Sequence, residues 1–102
     1  MQCYFLVSVD EHGNVVGPVS LNIPGGRFIV LFQDDASEYM DVIGDYVIYH
    51  LPKGHGIRSA YFESSSFEET VLEFREAYVI PDSVSFIMDS DPFFVQLVAS
   101  LR

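Results

Sequence analysis

Phe67, Val71, Phe74 and Tyr78 recur at i, i+4, i+7 and i+11, the period of one helical face. No other pattern in the chain restricts its fold as strongly. Ser65 with Glu68, and Ser66 with Glu69, have the capping-box spacing just ahead of that face. Together they predict an amphipathic helix over 66–78 whose aromatic stripe must be buried against another layer. The chain supplies that layer. Residues 3–9 are an almost continuous run of aromatic and β-branched types, read as a strand covered on both faces. In 15–23, Val19, Leu21 and Ile23 alternate with Ser20 and Asn22, the period of a half-buried strand. Gly17-Pro18 marks a bulge or an edge position within it. Residues 28–32 form a second buried-type strand.

The remaining elements follow from punctuation and period. Glu11-His12-Gly13-Asn14 and Pro24-Gly25-Gly26 are turns between apolar runs. Asp35 can cap a short helix over 36–43, in which Ala36, Tyr39, Met40 and Ile43 share a face and Gly44 takes the terminating position. A hairpin within 38–51, turning at Gly44-Asp45, is the alternative. Strands are expected at 46–51, 57–62 and 84–88. Asp91-Pro92 then opens a last helix, with Phe93, Phe94, Leu97, Val98 and Leu101 on one broad face and Arg102 at its end. The order βββ-α-ββ-α-β-α lacks the strict alternation of a doubly wound sheet. We therefore expect one α+β domain over 1–102, a mainly antiparallel sheet with two or three helices.

The chain is long enough, at 102 residues, for one core and one domain. With 49% hydrophobic and 15% aromatic residues it is not a disordered chain. Its single cysteine, Cys3, cannot form an internal disulfide. That favours a reducing, cytoplasmic setting, and the N-terminal apolar run is too short for a signal peptide. No stretch approaches a membrane span.

Chemistry-bearing motifs are sparse. Phosphate-cradling loops, dinucleotide fingerprints, zincin helices and nucleophile elbows do not occur, so no catalytic residue and no cofactor is expected. His50 and His55 lack a zinc-site spacing, and Cys3 has no basic neighbour to activate it, so no metal is expected either. The segment 53–58 concentrates Lys53, His55 and Arg58 around two glycines. Read functionally it could meet an anion; read plainly it is a strand connection. Tyr46, Tyr49, His50, His55 and Arg58 are the polar groups that a ligand pocket would use.

Charge is the most informative feature. Residues 34–91 hold thirteen acids against Lys53, Arg58 and Arg75, and the whole chain carries −10. Such a balance argues against direct nucleic-acid binding and against anionic membranes. Glu69, Glu73 and Glu76 lie within about 60° of one another at 100° per residue, opposite the aromatic stripe. Asp34, Glu38 and Asp41 lie together on the shorter helix, with Asp45 just beyond. No base follows Glu69, Glu73 or Glu76 at i+3 or i+4. A solvated face explains acids on a helix, but such faces usually mix signs. The sequence therefore suggests a non-catalytic protein-binding domain whose acidic surface meets a basic partner, such as an inhibitor, an immunity protein or an anti-defence nucleic-acid mimic. Two alternatives stand beside it. One is a small-ligand protein or small enzyme with a pocket at an oligomer interface. The other is a structural subunit or homodimer joined through Phe93, Phe94, Val95, Leu97, Val98 and Leu101, because the last helix is apolar nearly all round.

Overall fold

The computed structural model describes residues 1–48 and 51–101. Seven strands and three helices follow in the expected order. β1 is Gln2–Val9, β2 Val15–Pro18, β3 Ser20–Ile23, β4 Gly26–Leu31, β5 Val47–Ile48, β6 Gly56–Glu63 and β7 Val84–Met88. The helices are α1 Met40–Ile43, α2 Phe67–Ala77 and α3 Pro92–Leu101.

β1 is central in a three-stranded sheet, order β2-β1-β6, and both of its pairings are antiparallel. A four-stranded sheet runs β5-β3-β4-β7, antiparallel except for the parallel pair β4–β7. Tyr4 and Phe32 exchange both backbone hydrogen bonds at 2.8 Å, and Val19 N–H donates to Leu6 C=O at 2.8 Å. These bonds join the two sheets along one edge of β1.

The segment 15–23, expected as one strand, changes partner at Val19. Its first half pairs with β1 and its second half with β4. The bulge falls at Val16, since Ser8 faces Gly17 while Val9 faces Val15. The glycines of the β3–β4 turn are required, because Gly25 sits at φ 106° and Gly26 at φ 144°.

Alternation along β1 and β4 creates two cores. Cys3, Phe5 and Val7, with Ile29 and Leu31, face α2 and Phe74. Leu6, Val30 and Phe32 face Ala36, Ile43 and the α3 residues Phe94, Leu97 and Val98. The helices therefore lie in two layers on opposite sides of the strands. Cys3 is fully buried, and that burial pushes its thiol up from the ordinary value.

The caps match their residues. Ser66 accepts from Glu69 N–H at 3.1 Å, and Asp91 Oδ1 accepts from Phe93 N–H at 3.0 Å. Asp35 Oδ1 accepts from Ser37 N–H at 3.0 Å. Gly44 does not end its helix in a left-handed conformation. It is right-handed helical at φ −53°, and 3₁₀ turns at Ala36–Tyr39 and Gly44–Tyr46 flank α1. Helical turns rather than a hairpin thus occupy 36–46. The expected strand at 46–51 is described only as β5; Tyr49 and His50 lie outside the described residues, as does the Arg102 terminus.

On α2 the fully buried positions are Thr70 and Phe74. Thr70 replaces Val71 at the centre of the buried face. Its hydroxyl donates to Ser66 C=O at 3.0 Å and meets the Ser64 hydroxyl, so burial leaves no orphaned polar group. Phe74 packs its ring against Phe5, Phe62 and Phe86, with centroids 4.6, 5.0 and 5.8 Å away.

Candidate functional site

The two acidic stripes are placed on opposite layers. Glu69, Glu73 and Glu76 belong to α2, on one side of the strands. Asp34, Glu38 and Asp41 belong to the segment around α1, on the other. Because Thr70 turns inward, α2 is rotated from the orientation expected of it. Glu68, Leu72 and Glu76 are exposed, whereas Glu69 and Glu73 are half-buried at the flank.

On the α1 side, topology adds Asp35 and Asp91, which the local sequence marks only as caps, and Asp89, which it does not mark at all. β4 and β7 run parallel with Leu31 opposite Met88, so the segments that leave them emerge side by side. Asp34 and Asp35 follow β4; Asp89 and Asp91 follow β7. Asp89 N–H donates to Leu31 C=O at 2.9 Å, and Asp89 Oδ2 accepts from Gln33 N–H at 3.3 Å, which ties the two exits together. Glu38 and Asp41 continue the acidic series along the helical turns. Asp34, Asp35, Glu38 and Asp41 are all exposed, and the side chain of Asp45 lies outside the described part. The result is an acidic rim at the carboxyl ends of two parallel strands. Only a parallel pair places these segments together, and a sequence that predicts a mainly antiparallel sheet does not signal it.

Cations do not neutralise the acids. Among the described residues, the one contact between a basic and an acidic side chain within 4.0 Å is His12 with Glu11, at 3.7 Å on the surface. Arg75 instead donates to Val84 C=O at 2.7 Å and to Pro81 C=O at 3.5 Å, and its guanidinium lies 5.4 Å from the Phe86 ring centre. It ties α2 to the start of β7. Local hydrogen bonds shape two carboxylates. Backbone donation from Asn14 holds Asp10 below the usual carboxylate range, and donation from the Ser37 backbone does the same for Asp35.

A second feature is a groove of about 670 Å³ on the α2 side. It opens where the chain passes from β2 to β3, between Val16–Pro18 and the chain 77–81 that leaves α2, with buried Ile29 and Val84 in its wall. Tyr78 closes one side, and a Cβ built on Gly17 would stand 3.5 Å from its ring. The few polar groups in the wall are Ser8, Ser20, Arg27, His55 and the tyrosine. Ser20, expected on the water side of its strand, is buried there and accepts from Arg27 Nη2 at 3.3 Å. His55 Nδ1 is buried with no hydrogen-bond partner among the described residues.

No family model matches this chain, and no curated protein or solved structure matches it. Geometry alone carries the functional reading.

Of the described residues expected to line a ligand pocket, His55 alone borders the groove. Tyr46 packs against the α1/α3 core, Arg58 is exposed on β6 opposite Val7, and Tyr49 and His50 lie outside the described residues. Lys53 is exposed on a turn that His55 N–H closes on Pro52 C=O at 3.1 Å. Gly54, at φ 89°, lies against the Glu11 carboxylate, which makes that turn a poor anion cradle. Among the described residues no three His, Cys, Asp or Glu side chains are grouped to hold a metal ion. No described helix is long and apolar enough to cross a membrane. The last helix divides: Phe94, Leu97 and Val98 are buried in the protein's own core, while Phe93, Val95 and Leu101 are exposed. A small cavity of about 300 Å³ lies beside Tyr39, Asp89 and Val95.

Proposed function

We propose that this protein is a non-catalytic binding domain that meets a basic protein partner through the acidic rim at the carboxyl ends of β4 and β7. The observation that carries this reading is the lack of internal neutralisation. Arg75 is engaged by backbone carbonyls and a ring, Arg27 donates to a serine, and no described lysine or arginine lies within 4.0 Å of a carboxylate. With a chain charge of −10, the field of these acids projects outward. Such a field speeds association with a basic surface and rejects acidic competitors. An inhibitor, an immunity protein or a nucleic-acid mimic fits this physics, with carboxylates in the places of phosphates. The fully buried Cys3 is compatible with a cytoplasmic setting.

The rim takes precedence over the α2 patch because two chain segments contribute to it, and because a single flat partner surface reaches only one side of the strand layer. Glu38→Lys with Asp41→Lys tests the rim, and Glu69→Lys, Glu73→Lys with Glu76→Lys tests the helix. Each variant is presented to nuclease-treated host lysate at low and then high salt. The expected result is a basic protein that elutes as salt rises and is lost only with the rim variant. Loss only with the α2 variant moves the contact to that helix. Retention by both, or binding indifferent to salt, overturns the reading.

A further inference from the structure

The groove beside β2 has a composition unlike the rest of the molecule. Fifteen of the chain's 102 residues are acidic, yet among the described residues no acid lines this groove of about 670 Å³. Its wall is apolar over most of its extent, including Val16, Pro18, Ile29, Val79 and Ile80. The basic side chains in it are Arg27 and His55. A volume of several hundred Å³, an apolar lining and a few convergent polar groups are the ordinary features of a small-molecule site.

We propose that this groove binds a small apolar carboxylate, with the acid held at Arg27 and the apolar body lying along Val79, Ile80 and Val16. The Arg27 guanidinium places one N–H on Ser20 Oγ at 3.3 Å. That bond fixes its orientation and leaves its other donors for a carboxylate, which guanidinium recognises bidentately. His55 adds a second polar contact. Its Nδ1 is buried without a partner among the described residues, a state that a ligand oxygen or hydroxyl would relieve. Of the acids near the His55 turn, Asp10 is held by His12 N–H at 2.9 Å and Asn14 N–H at 2.8 Å, Glu11 lies against Gly54, and neither lines the groove. Val79 is fully exposed, an arrangement that an apolar ligand body would cover. The site has a structural origin. The segment 15–23 leaves β1 at Val19 to pair with β4, and the opening lies at that parting.

The proposal is independent of the acidic rim, and its test reads separately. Apolar carboxylates from 3-phenylpropionate to dodecanoate, each with its uncharged primary amide, are titrated into isotope-labelled protein and followed by amide chemical shifts. Saturable shifts at Arg27, His55 and Val79 are expected, with each bound carboxylate at least tenfold tighter than its amide. Arg27→Ala should remove that preference while leaving amide binding unchanged, and Arg27→Lys should restore part of it. His55→Ala should weaken both members of a pair. The proposal is overturned if no carboxylate saturates these shifts, if acids and amides bind equally, or if the shifts fall on α3 instead. The amide spectrum of each ligand-free variant, with its buried-core resonances unshifted, checks that it is folded.

Discussion

α2 and α3 each cover one face of the strands, and their exteriors are opposite in kind. Beyond its buried Thr70 and Phe74, α2 presents Glu68, Leu72 and Glu76 to water. α3 buries Phe94, Leu97 and Val98 and still exposes Phe93 and Val95, at 67% and 51%, with no charged residue in Pro92–Leu101. The interiors differ too. α2 concentrates its packing on one ring, Phe74, which touches aromatic residues from β1, β6 and β7. α3 distributes it over three side chains, with Phe94 in a triangle with Phe32 and Tyr39 at 5.4 and 5.7 Å. A helix with a polar exterior is oriented by a single strong anchor. A helix that is apolar nearly all round needs several contacts to select one face.

The sharpest way to break this comparison is Phe74→Ala. Removing the ring should cost about 5 kcal/mol in urea denaturation, near the top of the range for core aromatics. Leu97→Ala on α3 should fall near the low end for a buried leucine, about 2 kcal/mol, because Phe94 and Val98 remain. Equal losses would show that the two helices share their burden alike. The next effect belongs to Thr70. Thr70→Val keeps the shape but removes the Thr70 hydroxyl's bonds to Ser64 and Ser66, while the Ser66 carbonyl keeps the Ser64 hydroxyl at 2.9 Å and the Thr70 N–H at 3.0 Å, so a loss of about 1 kcal/mol is expected in the same measurement. A neutral result would mean that water replaces the lost bonds and that Thr70 does not orient the helix.

The smallest effect concerns pH. The caps of the α1/α3 layer are carboxylates, Asp35 and Asp91, whereas α2 is capped by Ser66, which does not titrate. Asp35 titrates below its ordinary value in the folded protein, chiefly through the Ser37 backbone, then the Ser37 and Ser59 hydroxyls. Its stabilisation is therefore complete above about pH 4, the ordinary value, and is lost as pH falls through the lower folded one. Asp35→Asn should flatten the acid limb of urea midpoints between about pH 5 and 2, while Ser66→Ala should lower the midpoint equally at every pH. An unchanged acid limb in Asp35→Asn would remove this distinction between the layers.

Local signals account for what the sequence made legible. The element order, the aromatic helix, the two-sided burial of β1 and the caps at Asp35, Ser66 and Asp91 all depend on residues within a few positions of one another. The turn of α2 was less legible. The stripe Phe67/Val71/Phe74/Tyr78 points to a buried Val71, but hydroxyl partners from 64 and 66 allow Thr70 to go inward instead. The terminating role of Gly44 failed for a similar reason: a glycine permits a left-handed cap but does not compel one, and here the chain continues as a 3₁₀ turn.

The sequence by itself determined the composition of each element and the excess of negative charge, because those are properties of neighbouring residues and of their sum. Only the tertiary structure decided where the charge would collect and where it would be excluded. The parallel pairing of β4 with β7 sets Asp34 and Asp35 beside Asp89 and Asp91, more than fifty residues apart in the chain. The change of partner at Val19 opens a carboxylate-free groove between segments from five parts of the chain. Strand pairing is selected by the burial of whole faces, not by any one residue, so neither arrangement can be read from a local pattern.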